Sequence, residues 1–356
     1  MFNVPPHFQE TYKEILEVQK NDNPLLRLNL AAVSPVTEEG QIDGEAFHKL
    51  YSELSDRIGF SSLLLAGATG EGEFLDAIQF QQLYSAGLRL KQEKGTHLIG
   101  GVIRKSKKET LEAAKFWAGT DVDYIMVAMP TNEELTQADI SRLLSEVTTL
   151  GKDVIVYRTG LSTTLPELET LTKSHIVAVK DTTGKEDSLY TRVGELYTTD
   201  KLLLQGNDRW FYESFGASLE NGQDYIGNIS GACNLAPFAD LRNIIAASLI
   251  EEKRTGNEEY NVIAKNAQEV MNEGFDELFT NIDSVGKETE GGRREVPIVL
   301  SALGYLHNNI AIPERSLNPG LNEYSSELAR NHKFLFEKIC GERDYLLERY
   351  QQLKSI

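Results

Sequence analysis

The sequence contains little cysteine and no long apolar run. Among its 356 residues are two cysteines, Cys233 and Cys340, which share no short motif with each other or with the histidines. So few cysteines, without a shared motif, are typical of proteins in a reducing environment, and we expect a cytoplasmic protein. No apolar stretch approaches the roughly 18 residues of a membrane helix. Residues 1–27 also lack the apolar core of a secretory signal, so we expect a soluble chain whose N-terminal segment is an arm or short helix outside the main fold.

Positive charge is scarce as well. The 36 lysine and arginine residues are outnumbered by 54 aspartate and glutamate residues, which leaves a formal net charge of -18. Nucleic acids and anionic membranes attract basic surfaces, so this balance argues against either as a partner. A small anionic substrate stays compatible with it, because a pocket can be locally positive on an acidic protein.

A metal-binding pattern is also missing. No two of the six histidines have the spacing that would place a ligand pair on one helix face or on alternate positions of a strand. We therefore expect no metal ion. The histidines are His7, His48, His97, His175, His307 and His332.

From Leu28 onward, short apolar runs alternate with longer amphipathic segments. Eight such units over about 220 residues predict a (β/α)8 barrel, the TIM-barrel architecture. A doubly wound open sheet is the alternative, but the first turn lacks a G-x-G-x-x-G fingerprint. The predicted strands are Leu28–Val33, Ser62–Ala66, His97–Ile103, Asp123–Ala128, Asp153–Tyr157, His175–Lys180, Lys201–Gln205 and Asp224–Ile229. Apolar residues at three- and four-residue spacing predict helices at Asp43–Ile58, Leu75–Lys94, Lys107–Ala118, Thr136–Leu150 and Gly184–Tyr197.

After Asn234 the pattern indicates helices alone. The first of them would complete the eighth unit, and the others would form a C-terminal helical appendage. We therefore expect an N-terminal extension at 1–27, a barrel at 28–256 and a helical region at 257–356. The predicted helices are Phe238–Arg254, Tyr260–Phe279, Val296–Asn309 and Glu323–Tyr350.

The sixth strand ends in a lysine. The β-branched run Ile176–Val179 suits a strand buried on both faces, and Lys180 follows it directly. Desolvation lowers the pKa of a lysine towards the range in which the free amine attacks carbonyl groups and forms Schiff bases. The alternative is a lysine that ends the strand and points into solvent.

Two further strand ends carry suitable chemistry. Strand two ends in Gly67-Ala68-Thr69-Gly70-Glu71, a tight turn whose N–H groups and threonine hydroxyl can hold a carboxylate. Strand five ends in Tyr157, whose phenol can transfer protons to a group on strand six. Taken singly, the turn after strand two could be an ordinary glycine turn, and Tyr157 could be an aromatic residue packed in the interior. Barrel enzymes carry their chemistry at these strand ends, so the coincidence with Lys180 indicates an active site.

These stretches resemble the dihydrodipicolinate synthase and N-acetylneuraminate lyase family of Schiff-base aldolases. The resemblance rests on GATGEGEFL from Gly67, VIVYRTG from Val154, IVAVKDTTG from Ile176 and GNISGACNLAP from Gly227. Weaker similarity extends from Leu28 to Gly304, which is most of the chain.

The resemblance implies a role for each matching residue. Lys180 would form an imine with a 2-keto acid, usually pyruvate, and Tyr157 would transfer protons. The turn of Ala68, Thr69 and Gly70 would hold the keto-acid carboxylate, while Ile229 would line the floor of the pocket. The imine acts as an electron sink, so no organic cofactor is needed. The resemblance also implies a homo-oligomer, a dimer or tetramer.

The sequence departs from the family pattern at three places. Ala68 stands where a hydroxyl residue is common, and the segment after strand four, Met129–Asn132, has no aromatic pair. Tyr157 would therefore need water or another group in its proton relay. Arg158 directly follows the tyrosine, and strand alternation should turn it away from the barrel interior. We do not expect it to hold a substrate carboxylate, which makes dihydrodipicolinate synthesis itself an unsafe assignment.

Three functions fit these observations. The first is a class I aldolase, lyase or hydro-lyase acting through Lys180. The second is a non-catalytic member that binds a keto acid as a regulatory or interaction protein, which the missing hydroxyls would favour. The third, a metal-dependent aldolase, is disfavoured by the histidine spacing.

Overall fold

Eight short parallel strands pair in sequence order and close into a barrel. The computed structural model describes residues 3–37, 39–159, 166–172, 175–182, 199, 201–222, 225–283, 296, 299–300 and 326–355. The last strand pairs with the first, which closes the ring. The strands are β1 (Leu28–Ala31), β2 (Ser62–Leu65), β3 (His97–Val102), β4 (Tyr124–Ala128), β5 (Asp153–Arg158), β6 (Ile176–Asp181), β7 (Leu202–Gln205) and β8 (Gly227–Ser230).

Helices follow most strands and continue after the barrel. They are α1 (Gln9–Val18), α2 (Gly44–Ile58), α3 (Ala77–Lys94), α4 (Lys107–Ala118), α5 (Gln137–Thr148), α6 (Leu168–Leu171), α7 (Phe211–Glu220), α8 (Ala236–Thr255), α9 (Glu259–Asp283) and α10 (Ser326–Lys354).

The predicted barrel class is confirmed, and each predicted strand overlaps an observed one. The helix α7 was not predicted. Gly184–Tyr197 lies outside the described residues, as does most of Val296–Asn309. The division at residues 27 and 256 stays a prediction.

The barrel helices begin at residues whose side chains satisfy free backbone N–H groups. Asp76, Ser106 and Thr136 each accept a bond from the third helical residue, whose own side chain bonds back to the cap. This reciprocal arrangement fixes the first turn of α3, α4 and α5. It also fixes how each loop leaves the strand end, which is where barrel chemistry takes place.

Two apolar layers hold the barrel. The outer layer joins the strands to the surrounding helices, and the inner cluster fills the ring. Because side chains alternate along a strand, Ile155 and Tyr157 of β5 both face inwards, as does Ala178 of β6. Lys180, two positions beyond Ala178, therefore takes the interior side at the carboxyl end of the ring.

The C-terminal helix α10 is joined to the barrel helices by buried charges. Arg343, whose side chain is 1% exposed, donates to Asp240 on α8 at 2.8 Å. The same carboxylate oxygen lies 2.5 Å from Arg57 at the end of α2. Two guanidinium groups therefore share one fully buried acid. Within the described ranges, no helix is long and apolar enough to cross a membrane.

Candidate active site

Tyr157 and Lys180 are neighbours across the parallel pair β5 and β6. The two residues stand in register, and the Lys180 ammonium lies 4.5 Å from the centre of the Tyr157 ring. Lys180 is 5% exposed and Tyr157 is 6% exposed. The sequence-predicted pair is thus adjacent and almost fully removed from water. A nearly dry amine beside a phenol has the two groups that imine chemistry needs, a nucleophile and a proton donor.

Gly206, just after β7, makes room for the lysine. A Cβ atom added at this position would lie 2.6 Å from Cε of Lys180 and would also collide with the methyl group of Thr182. The Gly206 N–H donates to the Asp181 carbonyl at 2.8 Å, which holds the two strand ends together. The lysine side chain therefore lies against bare backbone.

The turn after β2 is held from three sides. The Ser34 hydroxyl, beyond β1, donates to the Gly70 carbonyl at 2.8 Å. Thr69 is buried against Gly231, where an added Cβ atom would lie 2.6 Å from the Thr69 hydroxyl oxygen. Arg104, beyond β3, donates to the carbonyl of Gly72. The turn is thus fixed in place before any ligand arrives.

The same turn carries backbone strain. Ala66 and Glu71 both have φ of 52°, a left-handed conformation that is costly for residues with a Cβ atom. Across the described part of the chain, no hydrogen bond occupies the N–H groups of Ala68, Thr69 and Gly70. Successive free N–H groups in a tight turn form an anion-binding concavity. The turn can therefore accept a carboxylate.

Two further predicted site residues, Ile229 and Ala68, belong to the inner cluster of the barrel or pack against it. Ile229 is fully buried in the inner cluster together with Tyr157, and Ala68 is half-buried against the same cluster. The structure thus places Tyr157 and Ile229 in one inner cluster, with Ala68 against it.

The sequence reasoning missed Thr182. Its hydroxyl lies 3.3 Å from the phenol oxygen of Tyr157. Strand alternation could have identified it, because Thr182 stands two positions beyond Lys180 and so shares its face. The phenol thus has a hydroxyl neighbour although Ala68 supplies none.

Arg158 lies on the other face of the strand, as alternation predicts. Its guanidinium is 3.6 Å from the buried carboxylate of Asp181, the residue in register with it on β6. The residues that follow Tyr157 and Lys180 are thus also neighbours, with their opposite charges next to each other.

A buried acid lies near the lysine. Asp208 accepts hydrogen bonds from Asn228 at 2.9 Å and from Ser230 at 2.6 Å. Burial raises the pKa of Asp208 above its ordinary value of 3.8, while these two hydrogen bonds and the charge of Lys180 act in the opposite direction. Asp208 therefore holds its negative charge less readily than an exposed acid.

No group of three histidine, cysteine, aspartate or glutamate side chains suited to a metal ion occurs in the described ranges. The chemistry that the described site offers is that of an amine, a phenol and an anion-binding turn.

A buried amine beside a phenol at the mouth of a parallel barrel defines a lyase of the lysine-dependent barrel class. A sequence model of the dihydrodipicolinate synthetase family matches residues 24–287, and the chain belongs to that family. It is 26% identical over 298 residues to the 4-hydroxy-tetrahydrodipicolinate synthase of Thermotoga neapolitana, covering 80% of this chain and 90% of that protein. The resemblance inferred from the four motifs is confirmed.

Solved structures agree on the fold. Dihydrodipicolinate synthase of Acinetobacter baumannii in complex with pyruvate matches with a TM-score of 0.68 at 20% identity, over 87% of this chain and 99% of that one. N-acetylneuraminate lyase of Fusobacterium nucleatum matches with a TM-score of 0.68 at 15% identity, over 89% of this chain and 99% of that one. Both branches of the family thus share this architecture.

Proposed function

We propose that the protein forms a Schiff base between Lys180 and pyruvate or another 2-keto acid, and makes or breaks a bond at the neighbouring carbon. The observation that carries the proposal is the buried Lys180 ammonium 4.5 Å from the Tyr157 ring. Membership of a lyase family and the pyruvate bound in the A. baumannii relative support the same substrate class.

The reaction begins when the unprotonated Lys180 amine adds to the keto carbon. The resulting carbinolamine loses water and leaves a protonated imine, which draws electrons from the adjacent bond. Loss of a proton from the next carbon gives an enamine, which can attack an electrophile; the reverse sequence breaks a carbon-carbon bond. Tyr157 supplies and removes protons, and the Thr69 turn holds the carboxylate.

Ile229 forms the apolar floor beneath the bound keto acid. Its complete burial in the inner cluster that also contains Tyr157 supports this role. Ala68 and Gly70 contribute backbone N–H groups, and no organic cofactor or metal takes part. Arg158 contacts Asp181 on the outer face of the strands, so this proposal gives it no part in holding a second substrate.

Trapping with borohydride tests the proposal. The protein is incubated with pyruvate and borohydride, and intact mass spectrometry measures a reduced adduct. The adduct is expected in the wild type and in the control Lys152→Ala, whose ammonium donates to the Val122 carbonyl away from the site. It is expected to be absent from Lys180→Ala. A chelator should leave it unchanged if no metal takes part.

The non-catalytic alternative makes a different prediction. A keto acid would then raise the melting temperature without forming an adduct, and without exchange of its methyl hydrogens with solvent. Absence of an adduct with every short 2-keto acid would overturn the proposed chemistry.

The assembly and location are proposed as well. The family resemblance supports a homo-oligomer, a dimer or tetramer, and the two buried free cysteines are compatible with a reducing cytoplasm. Light scattering at several concentrations tests the first, and cell fractionation tests the second. A monomer at all concentrations would contradict the proposed oligomer.

A further inference from the structure

Thr182 has two hydrogen-bonding partners for one hydroxyl. Its oxygen lies 3.3 Å from the phenol oxygen of Tyr157 and 3.3 Å from the carbonyl oxygen of Arg158. Its backbone N–H already donates to the same carbonyl at 3.0 Å. The hydroxyl bond to Arg158 is therefore not needed to satisfy that carbonyl.

The chemistry of the two partners fixes the direction of these bonds. A carbonyl can only accept, whereas a phenol can donate or accept. While Tyr157 is protonated, the Thr182 hydrogen can point to the Arg158 carbonyl, and the Thr182 oxygen can accept the phenol hydrogen. When Tyr157 is a phenolate, the same hydroxyl can rotate and donate to it.

We propose that Thr182 is the positioning residue of Tyr157, and that it changes from hydrogen-bond acceptor to donor as the phenol gives up its proton. This inference rests on the proposed function of Tyr157. The phenol proton passes to the imine-bound substrate, Thr182 keeps its own hydrogen, and the hydroxyl turns from the carbonyl to the phenolate. The reverse step restores the first arrangement.

The position of Thr182 is fixed tightly enough for this role. Its backbone N–H bonds to β5, and its methyl group packs against Gly206 after β7. It is half-buried, so water competes less strongly for the phenol than at an exposed site. Because Ala68 has no hydroxyl, Thr182, directly after β6, provides a hydroxyl that residue 68 does not.

A purely structural role for Thr182 makes different predictions. If the hydroxyl only strengthened the end of β6, its removal would lower stability and leave proton transfer unchanged. Proton transfer can be measured without the second substrate, because the imine of pyruvate exchanges its methyl hydrogens with deuterated water. Nuclear magnetic resonance measures this exchange, and borohydride trapping measures imine formation separately.

The experiment compares Thr182→Val and Thr182→Ser with the wild type. Valine keeps the shape and the backbone N–H but removes the hydroxyl, and serine keeps the hydroxyl. We expect Thr182→Val to form the trapped adduct and to exchange methyl hydrogens about 10- to 100-fold more slowly. The rate–pH profile should move to higher pH, because the phenolate loses a donor. Thr182→Ser should exchange within about threefold of the wild type.

Thr148→Val is the matched control, since the Thr148 hydroxyl also donates to a backbone carbonyl, that of Ser145, at 2.9 Å. Exchange and pH profile should be unchanged in this variant. The inference is overturned if Thr182→Val forms the adduct and exchanges at the wild-type rate with the wild-type pH profile. Absence of any adduct in the wild type would instead contradict the proposed function itself.

Discussion

Gly206 lies directly against Lys180, with 2.6 Å between the position of its missing Cβ atom and Cε of the lysine. The contact joins the residue after β7 to β6 at the Lys180 side chain, whose amine we propose to be the nucleophile. The absence of a side chain at residue 206 thus determines where the lysine can lie.

Gly206→Ala should displace the Lys180 side chain and reduce imine formation. The added methyl group meets Cε of the lysine on one side and the methyl group of Thr182 on the other. We expect the trapping rate with pyruvate to fall by about 100-fold, since small misplacements of a reacting group cost this much. Gly216→Ala in α7, where nothing lies within 4 Å of an added Cβ atom, is the control and should react normally. Equal rates in the two variants would contradict the expected displacement.

Thr69→Val should weaken keto-acid binding. Valine has nearly the shape of threonine and can keep the packing against Gly231, but it removes the hydroxyl that we propose to hold the substrate carboxylate. A hydrogen bond to a charged group contributes about 1.5–3 kcal/mol, so we expect the pyruvate concentration for half-maximal trapping to rise by about 10- to 100-fold. Thr69→Ser should stay close to the wild type. Unchanged half-saturation in Thr69→Val would show that backbone N–H groups alone hold the carboxylate.

Asp240→Ala should strongly destabilise the fold. The change leaves Arg57 and Arg343 facing each other without the acid that they share. Removing one partner of a buried ionic group costs about 3–5 kcal/mol, and urea unfolding measures the loss. The control is Glu259→Ala, which removes an exposed ion pair with Arg349 and should cost less than about 1 kcal/mol. Similar losses in both variants would contradict the importance of the buried cluster.

The pKa of Asp139 should respond to its capping partner. The hydrogen bond from the Thr136 side chain, helped by Lys107, lowers the pKa of Asp139 from 3.8 to about 2. Because the folded-state pKa is depressed, this carboxylate stabilises the fold fully above its unfolded pKa and loses that contribution as the pH falls towards 2. Thr136→Ala should raise the pKa of Asp139, as measured by nuclear magnetic resonance titration. Lys107→Ala should raise it less, and an unchanged value in Thr136→Ala would contradict the assigned cause.

The strand order and the adjacency of Tyr157 and Lys180 could be predicted from the sequence because both depend on local patterns. Ile176–Val179 is apolar and β-branched, and barrel geometry then places Lys180 at the carboxyl end. The strand ends were harder to predict. β8 begins at Gly227, later than predicted, where an added Cβ atom would collide with the carbonyl of Leu25. That contact comes from a distant part of the chain.

The contacts around Tyr157 and Lys180 could not be predicted from the sequence alone, because they depend on how separate strands pack together. Thr182 could have been found by counting two positions from Lys180, but its distance from Tyr157 depends on the register of β5 and β6. Gly206 gave no sequence signal, because a glycine after a strand also occurs in ordinary turns. The helix α7 was missed although Phe211, Phe215 and Leu219 have four-residue spacing, because the run Trp210-Phe211-Tyr212 at its start obscures that pattern.

The pairing of β1 with β8, which closes the ring, can form only late in synthesis of the chain. β1 acquires its second neighbour after about 200 further residues have been made, which takes roughly 10–40 s at ordinary translation speed. Until then one edge of β1 exposes unpaired backbone groups, a known starting point for association between nascent chains. Synthesis therefore includes an interval in which chaperones have an open edge to protect.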